Sequence, residues 1–276
     1  MKNIVVLYHA SCWDGFGAAW SAWKKFGNKA DYFAVAHQEN PPTGLIGKEI
    51  YLVDFCYVEE IMKKMIRDNK KVIVLDHHIT RKDVVSSMEG SIFDNNHSGA
   101  VISWKYFNPS RKIPKMLEYI QDIDIWKFKL SKTREITAAL DLEPKNFKSW
   151  EKASKKIENP KTRKEFIKKG EAIIEYQNHL FKILASSARR AVIDGIESMV
   201  INAPHFFAGQ LGSIILKKGY HLVIVWTKEN GAVSVSLRSD EKVDCAKLGE
   251  KYGGGGHKGA GGFKLSEADA VPWKLI

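Results

Sequence analysis

At 276 residues the chain can hold one large domain or two modest ones, and 44% hydrophobic with 27% charged residues excludes a disordered or fibrous class. No apolar run approaches the ~20 residues that cross a bilayer, so no membrane partner is expected; three cysteines without paired spacing (Cys12, Cys56, Cys245) exclude a disulfide framework and favour a reducing, cytoplasmic setting. Forty-three Lys and Arg against 32 Asp and Glu give a net charge of +11, which favours a polyanionic partner.

The N-terminus, with one early Lys and a short apolar run, does not read as a signal peptide. Ile4–Tyr8 (IVVLY) predicts a buried strand, and Asp14-Gly15 opens a helix that reaches Phe26. Glu49–Val53 predicts a second strand, followed by a helix over Val58–Asp68 with Ile61, Met62, Met65 and Ile66 at helical spacing. Lys71–Leu75 (KVIVL) predicts a third strand. Continuous β-branched runs alternating with amphipathic helices indicate βαβ units and a parallel sheet. Ser98-Gly99, with Ser98 as N-cap, starts a helix to Phe107, and Pro114 lies in the first turn of another that ends near Ile120.

From Glu143 to Lys182 there are eleven Lys or Arg against six Asp or Glu, with Ile167, Ile173, Ile174, Leu180, Ile183 and Leu184 at roughly helical spacing. This predicts a solvated helical connector. Beyond it, Glu197–Ile201, His221–Trp226 and Ala232–Leu237 read as strands, and Gly253–Gly256 with Gly259, Gly261 and Gly262 is the densest glycine cluster. The expected organisation is α/β: a parallel-sheet domain over residues 1–185 that includes the connector, and a smaller mixed α/β domain over 191–276.

The three predicted strands each end in a possible metal ligand. The first runs into His9, with Cys12 and Asp14 in the loop behind; the second into Asp54; the third into Asp76-His77-His78. An acidic pair, Asp122 and Asp124, follows the helix from Pro114. A lone Asp after a strand is ordinarily a turn or cap residue. Four such groups at the carboxyl ends of strands in one open sheet should converge, and clustered carboxylates repel unless a cation lies between them. The donor set suits Mn, Fe, Zn or Mg, with Mn favoured by the excess of oxygen. Two such ions, about 3.5–4 Å apart, would serve phosphoryl chemistry.

Asp76-His77-His78 after an apolar strand, with the His9…Asp14-Gly15 loop and Asp54 upstream, resembles the DHH phosphoesterase superfamily. Gly253-Gly254-Gly255-Gly256-His257 resembles the glycine-rich signature of its DHHA1 substrate-binding domain. The resemblance spans nearly the whole chain. It implies catalysis centred on Asp76, His77 and His78, with His9 on the first of two divalent cations and Asp54 bridging both. Asp14, His77 and one of Asp122 and Asp124 would complete the second site, with Asp122 preferred. Asp76 and His78 would orient the ligands and the attacking water. The family's first loop usually reads Asp-x-Asp, whereas here it reads Cys12-Trp13-Asp14. A Cys12 thiolate would suit a softer ion, and the oxygen-rich neighbours favour Cys12 as a bystander.

Substrate contacts are expected from His97 and Ser98, from Arg238, and from an anion cradle at Gly254, Gly255 and Gly256 beside His257. The function these features imply is metal-dependent hydrolysis of phosphodiester bonds in short oligonucleotides, dinucleotides or single-stranded ends. The superfamily includes nano-RNases, cyclic-dinucleotide phosphodiesterases, single-strand exonucleases and nucleotide phosphatases. The alternatives are a phosphomonoesterase acting on a bisphosphorylated nucleotide and a catalytically silent nucleotide-binding protein. The expected assembly is a monomer or homodimer, with the active site in the cleft between the domains.

Overall fold

A strand that is apolar along its whole length needs cover on both faces, and the N-terminal half supplies it. The computed structural model describes every residue except 11, 37, 38 and 230, and it divides into two compact units, Met1–Ile174 and Glu175–Ile276. In chain order the first unit holds β1 (Ile4–His9), α1 (Trp13–Phe26), β2 (Ala30–Val35), β3 (Glu49–Val53), α2 (Glu59–Asp68), β4 (Lys71–Asp76), α3 (Lys82–Ser86) and β5 (Ile92–Phe93). It continues with α4 (Gly99–Phe107), α5 (Lys115–Asp124), α6 (Thr133–Asp141), α7 (Phe147–Glu158) and α8 (Pro160–Ser186), which runs on into the second unit.

The first sheet has the order β2-β1-β3-β4-β5, and every pairing in it is parallel. Side chains alternate between its faces. Val5, Leu7, Ile50, Leu52 and Val74 pack with Met62 and Met65 of α2, while Val6, Tyr51, Val53, Ile73 and Leu75 pack with Ala18 and Ala22 of α1 and Ile102 of α4. Both faces are buried, hence the unbroken apolar runs. Two strands were not expected from sequence. β2 follows Gly27-Asn28-Lys29 at the sheet edge and carries Asp31 and Ala34, so it lacks the β-branched run of its neighbours; β5 has two residues.

The structure corrects the helices. α5 runs to Asp124 rather than to about Ile120, so Asp122 and Asp124 lie inside its last turn and not after it. The stretch read as a solvated connector is two helices, and α7 is not solvated: Trp150, Ala153 and Ile157 are fully buried with Phe16, Trp20 and Leu117. The break falls at Asn159, which is extended, and Pro160 then opens α8, a position where its missing N–H costs nothing.

The second unit adds β6 (Arg189–Ile193), β7 (Ile196–Asn202), α9 (Ala208–Leu216), β8 (Leu222–Glu229), β9 (Ala232–Ser239), α10 (Cys245–Glu250), β10 (Gly255–His257), β11 (Ala260–Ser266) and β12 (Trp273–Leu275). Its sheet has the order β10-β11-β9-β8-β7-β6-β12, with β7–β8 parallel and the other pairs antiparallel. The chain is therefore α/β, a five-stranded parallel sheet followed by a seven-stranded mixed one. Among the described residues no helix is long and apolar enough to cross a membrane.

Candidate metal centre

β1, β3 and β4 are adjacent and parallel, so their carboxyl ends bring His9, Asp54 and Asp76-His77-His78 to one edge of the sheet. Asp54 continues the β3–β4 pairing through its amide, which donates to Leu75 O at 2.9 Å. Its own backbone is left-handed (φ +65°), a conformation that Asp tolerates better than most residues. Gly99 opens α4 directly against it; a Cβ there would sit 2.6 Å from Asp54 Cβ and Oδ1. Only glycine lets the helix start so close. The amides of Gly99 and Ala100 donate to Asp14 Oδ2 and Oδ1 at 2.6 and 3.0 Å, so Asp14, from α1, caps α4.

The ligating atoms form three groups: His9, Cys12 and Asp54; Asp54, His77 and His78; and Asp14, His77 and Asp124. Asp54 joins the first two through different oxygens. Oδ2 lies 3.5 Å from His9 Nδ1 and 3.4 Å from Cys12 Sγ, while Oδ1 lies 3.3 Å from His77 Nε2. His77 Nε2 in turn stands 3.7 Å from Asp14 Oδ2 and 3.6 Å from Asp124 Oδ2.

The electrostatics fit a cation. Burial, with the charges of Asp54 and Asp124 beside it, pushes the Asp14 carboxyl well above the ordinary range, and burial raises Asp124 to about 6. For Asp54 burial acts in the same direction, but the His77 and His9 rings outweigh it and hold the carboxyl low. Burial opposes charge on His77 too, yet Asp54 keeps its pKa raised. Asp54 Oδ1 is buried without a hydrogen-bond partner among the described residues, an open valence that a divalent ion would fill. The residues present fit such ions, with His9, Cys12 and Asp54 around one position and Asp14, His77 and Asp124 around another.

The other residues expected to be catalytic, Asp76 and His78, lie beside the cluster. Asp76 is fully buried; its Oδ1 accepts from the amides of His77 and His78 at 2.8 and 3.3 Å and pairs with His78 Nδ1 at 2.7 Å. That fixes the His78 ring and raises its pKa. Of the two candidate carboxylates, Asp124 and not the preferred Asp122 lies in the cluster. Residues two apart on a helix point to opposite sides. Asp122 turns inward, where Oδ1 accepts from Lys129 N (2.7 Å) and Oδ2 from Leu130 N (3.1 Å) and Thr133 Oγ1 (2.5 Å); Asp124 meets His77.

His97 and Ser98 are placed less openly than expected. Both ring nitrogens of His97 are engaged, Nδ1 with Asp94 at 2.7 Å and Nε2 with Lys105 at 2.8 Å, and Ser98 is fully buried. The amides that Ser98 would cap belong to Asp14 instead. Sequence reasoning also passed over Arg81, which lines a 420 Å³ cavity with His9, Asp54 and His78. Its place five residues beyond Asp76 was the available signal.

The profile of the DHHA1 domain matches residues 207–273. Residues 207–273 therefore form a DHHA1 domain. An uncharacterised protein of Acanthamoeba polyphaga mimivirus is 30% identical over 291 residues, covering 95% of this chain and 67% of that protein. Among solved structures, the pGpG-specific phosphodiesterase PggH from Vibrio cholerae shares the fold with a TM-score of 0.55 at 16% identity, over 96% of this chain and 94% of that one. The DHH domain of a member of the s1p family of ribosomal proteins aligns with a TM-score of 0.52 at 15% identity, over 96% of this chain and 83% of that one.

In the DHHA1 domain the glycines are packing elements first. A Cβ on Gly254 would stand 2.0 Å from Gly262 O, so the chain there lies flat against β11. The hairpin register sets Arg238 of β9 opposite Ala260 of β11, and Ala260 opposite His257 of β10. Residues directly opposite share a face. Two basic side chains therefore stand two strands apart with a methyl group between them.

Cys12 stands where the sequence resemblance led a carboxylate to be expected. Its Sγ accepts from Gly15 N at 3.0 Å and caps α1. Burial and the Asp54 charge push its thiol well up, so without a cation it stays protonated. Asp is an equally good cap and a harder ligand. Cys12→Asp is expected to fold normally and to bind Mn more tightly at the His9–Asp54 position, by roughly tenfold, the size of a change in a metal site's supporting shell. A calorimetric Mn titration identical to that of the parent would show that position 12 takes no part in the site.

Proposed function

We propose that the protein is a phosphodiesterase that hydrolyses dinucleotides or short oligonucleotides with two divalent cations, Mn favoured. The carrying observation is Asp54, whose two oxygens face separate ligand groups on either side. His9, Cys12 and Asp54 would hold one ion, Asp14, His77 and Asp124 the other, with Asp54 shared. Bound there, the ions neutralise the phosphoryl oxygens and make a water molecule more acidic.

The chain's own residues do the rest. Asp14, held by the first amides of α4, keeps its carboxylate fixed in front of His77. Asp76 locks the His78 ring through Nδ1, so Nε2 is the nitrogen left to meet a reacting group beside the His9–Asp54–Arg81 cavity. Substrate capture is assigned to Arg238 and His257, which offer charge and hydrogen bonds across Ala260. The fold shared with a pGpG-specific phosphodiesterase supports a small nucleotide substrate.

The test is turnover of a linear dinucleotide and of inorganic pyrophosphate by the Mn-loaded protein. Mononucleotide release is expected from the dinucleotide, stopping in excess EDTA and returning with Mn. Full turnover in EDTA would sink the two-ion reading. Cleavage of pyrophosphate with the dinucleotide untouched would move the assignment to pyrophosphate hydrolysis.

A further inference from the structure

A second recess of 420 Å³, separate from the Arg81 cavity, also borders the metal centre. It is within the ~300–1,000 Å³ range of small-molecule sites. Cys12, Asp14 and Asp124 belong to both the centre and this recess, and Trp13, Ile123, Trp126 and Lys145 are among its other lining residues. A diester has an organic group on each side of the phosphorus. Inorganic pyrophosphate has none, and would leave both recesses empty.

Trp126 is the unusual wall. It is 75% exposed, on a loop where both it and Phe128 are left-handed, at φ +56° and +47°. Bulky side chains avoid that region, and such outliers persist only where neighbouring structure enforces them. Asp122 enforces it here. Its carbonyl accepts from the amides of Lys127 and Phe128, and its buried carboxylate from those of Lys129 and Leu130. Phe128 stands at 81° to the indole with ring centroids 4.9 Å apart. The facing wall is fixed as well, since Trp13 Nε1 donates to Asp141 Oδ1 at 3.1 Å. The carbonyl and carboxylate of Asp122 together thus fix the loop that carries the two strained residues, with the Trp126 indole in solvent close to Asp124.

We propose that this recess is a subsite for a nucleobase of the substrate, with Trp126 as its stacking platform. Flat aromatic groups stack on an exposed indole whatever their hydrogen-bonding pattern, so the subsite would accept any base. Lys145 at its rim adds the positive charge that suits the attached sugar-phosphate. This rests on the reading of the centre as a phosphodiesterase and names the group that lies beside Asp14 and Asp124 when substrate is bound.

The test compares adenosine 5′-monophosphate with ribose 5-phosphate, which lacks the base, by calorimetry on the full Mn-loaded chain. The parent is expected to bind the nucleotide about tenfold more tightly, the scale of one stacked base. Trp126→Ala should erase that preference and leave ribose 5-phosphate affinity unchanged, while Trp126→Phe should keep most of it. No preference in the parent, or a preference that survives in Trp126→Ala, overturns the subsite. If the preference vanishes as expected while no dinucleotide is cleaved, the hydrolytic reading fails and the base subsite stands. If dinucleotides are cleaved and Trp126→Ala retains the preference, the subsite alone fails.

Discussion

Asp54→Asn should lower turnover by about 10³–10⁴, with metal binding reduced from two ions to at most one. The rate follows from the ions' contribution: several kcal/mol of transition-state stabilisation, at about 1.4 kcal/mol per factor of ten. Asn is a cleaner replacement than Ala. The backbone at this position is left-handed, which Asn accepts and which costs most other side chains about 1–2 kcal/mol. Asn also keeps the acceptor that faces His9 or His77 and fits beneath Gly99, which leaves no room for a larger group. What changes is the charge and the second oxygen. In chelator two effects oppose each other. Asp14 loses a repelling neighbour, and the His77 and His9 rings lose their ionised partner. The melting temperature in EDTA should therefore stay close to that of the parent. Near-native turnover by a variant that binds two Mn ions would show that Asp54 does not bridge.

Much of this centre is legible in the sequence because one rule covers it. Parallel strands buried on both faces appear as apolar runs, and the residue that ends each run must lie at the same edge. His9, Asp54, Asp76 and His77 follow from that rule alone. What the sequence hides is decided by helix ends and by long-range hydrogen bonds. The preference for Asp122 rested on the family resemblance, in which an aromatic such as Trp126 often follows the ligand. With the helix reaching Asp124, the rotation between the two positions selects Asp124, and no local pattern in the sequence marks where that helix ends. The carboxylate of Asp14 occupies the capping place that Ser98 was expected to fill, across 85 residues of chain. Trp150 was lost among lysines. A helix with one buried face and four lysines on the other reads as solvated unless its few apolar residues are weighted. The strained loop at Trp126 and Phe128 has no glycine or Asn to announce it, because Asp122 holds it by contacts five to eight residues away.

Exchanging the roles of Asp122 and Asp124 is the sharpest check on that geometry, since the two should fail in opposite ways. Asp122→Ala removes a buried carboxylate that accepts from the amides of Lys129 and Leu130 and from the Thr133 hydroxyl. Hydrogen bonds to a charged group contribute roughly 1.5–3 kcal/mol each, and the exposed amides of Lys129 and Leu130 can recover part of that from water, so a loss of about 3 kcal/mol is expected. For a unit of this size that is roughly 6–12 °C in melting temperature. The metal ligands remain, so Mn should still bind. Asp124→Ala should do the reverse, with turnover falling by about 10²–10³ and one Mn site lost, while the protein in EDTA melts no lower than the parent. The sign follows from the raised pKa. A carboxyl that titrates near 6 in the folded protein, above its unfolded value, costs stability once the pH passes through that range. Removing it should therefore raise the melting temperature slightly at pH 7.5 in EDTA, an advantage that disappears at pH 4, where the group is largely protonated in the folded state. The side chain is partly exposed, so the gain is small. If Asp122→Ala lost a metal ion without losing stability, the two assignments would have to be exchanged again, and Trp126 would lose the anchor on which its placement depends.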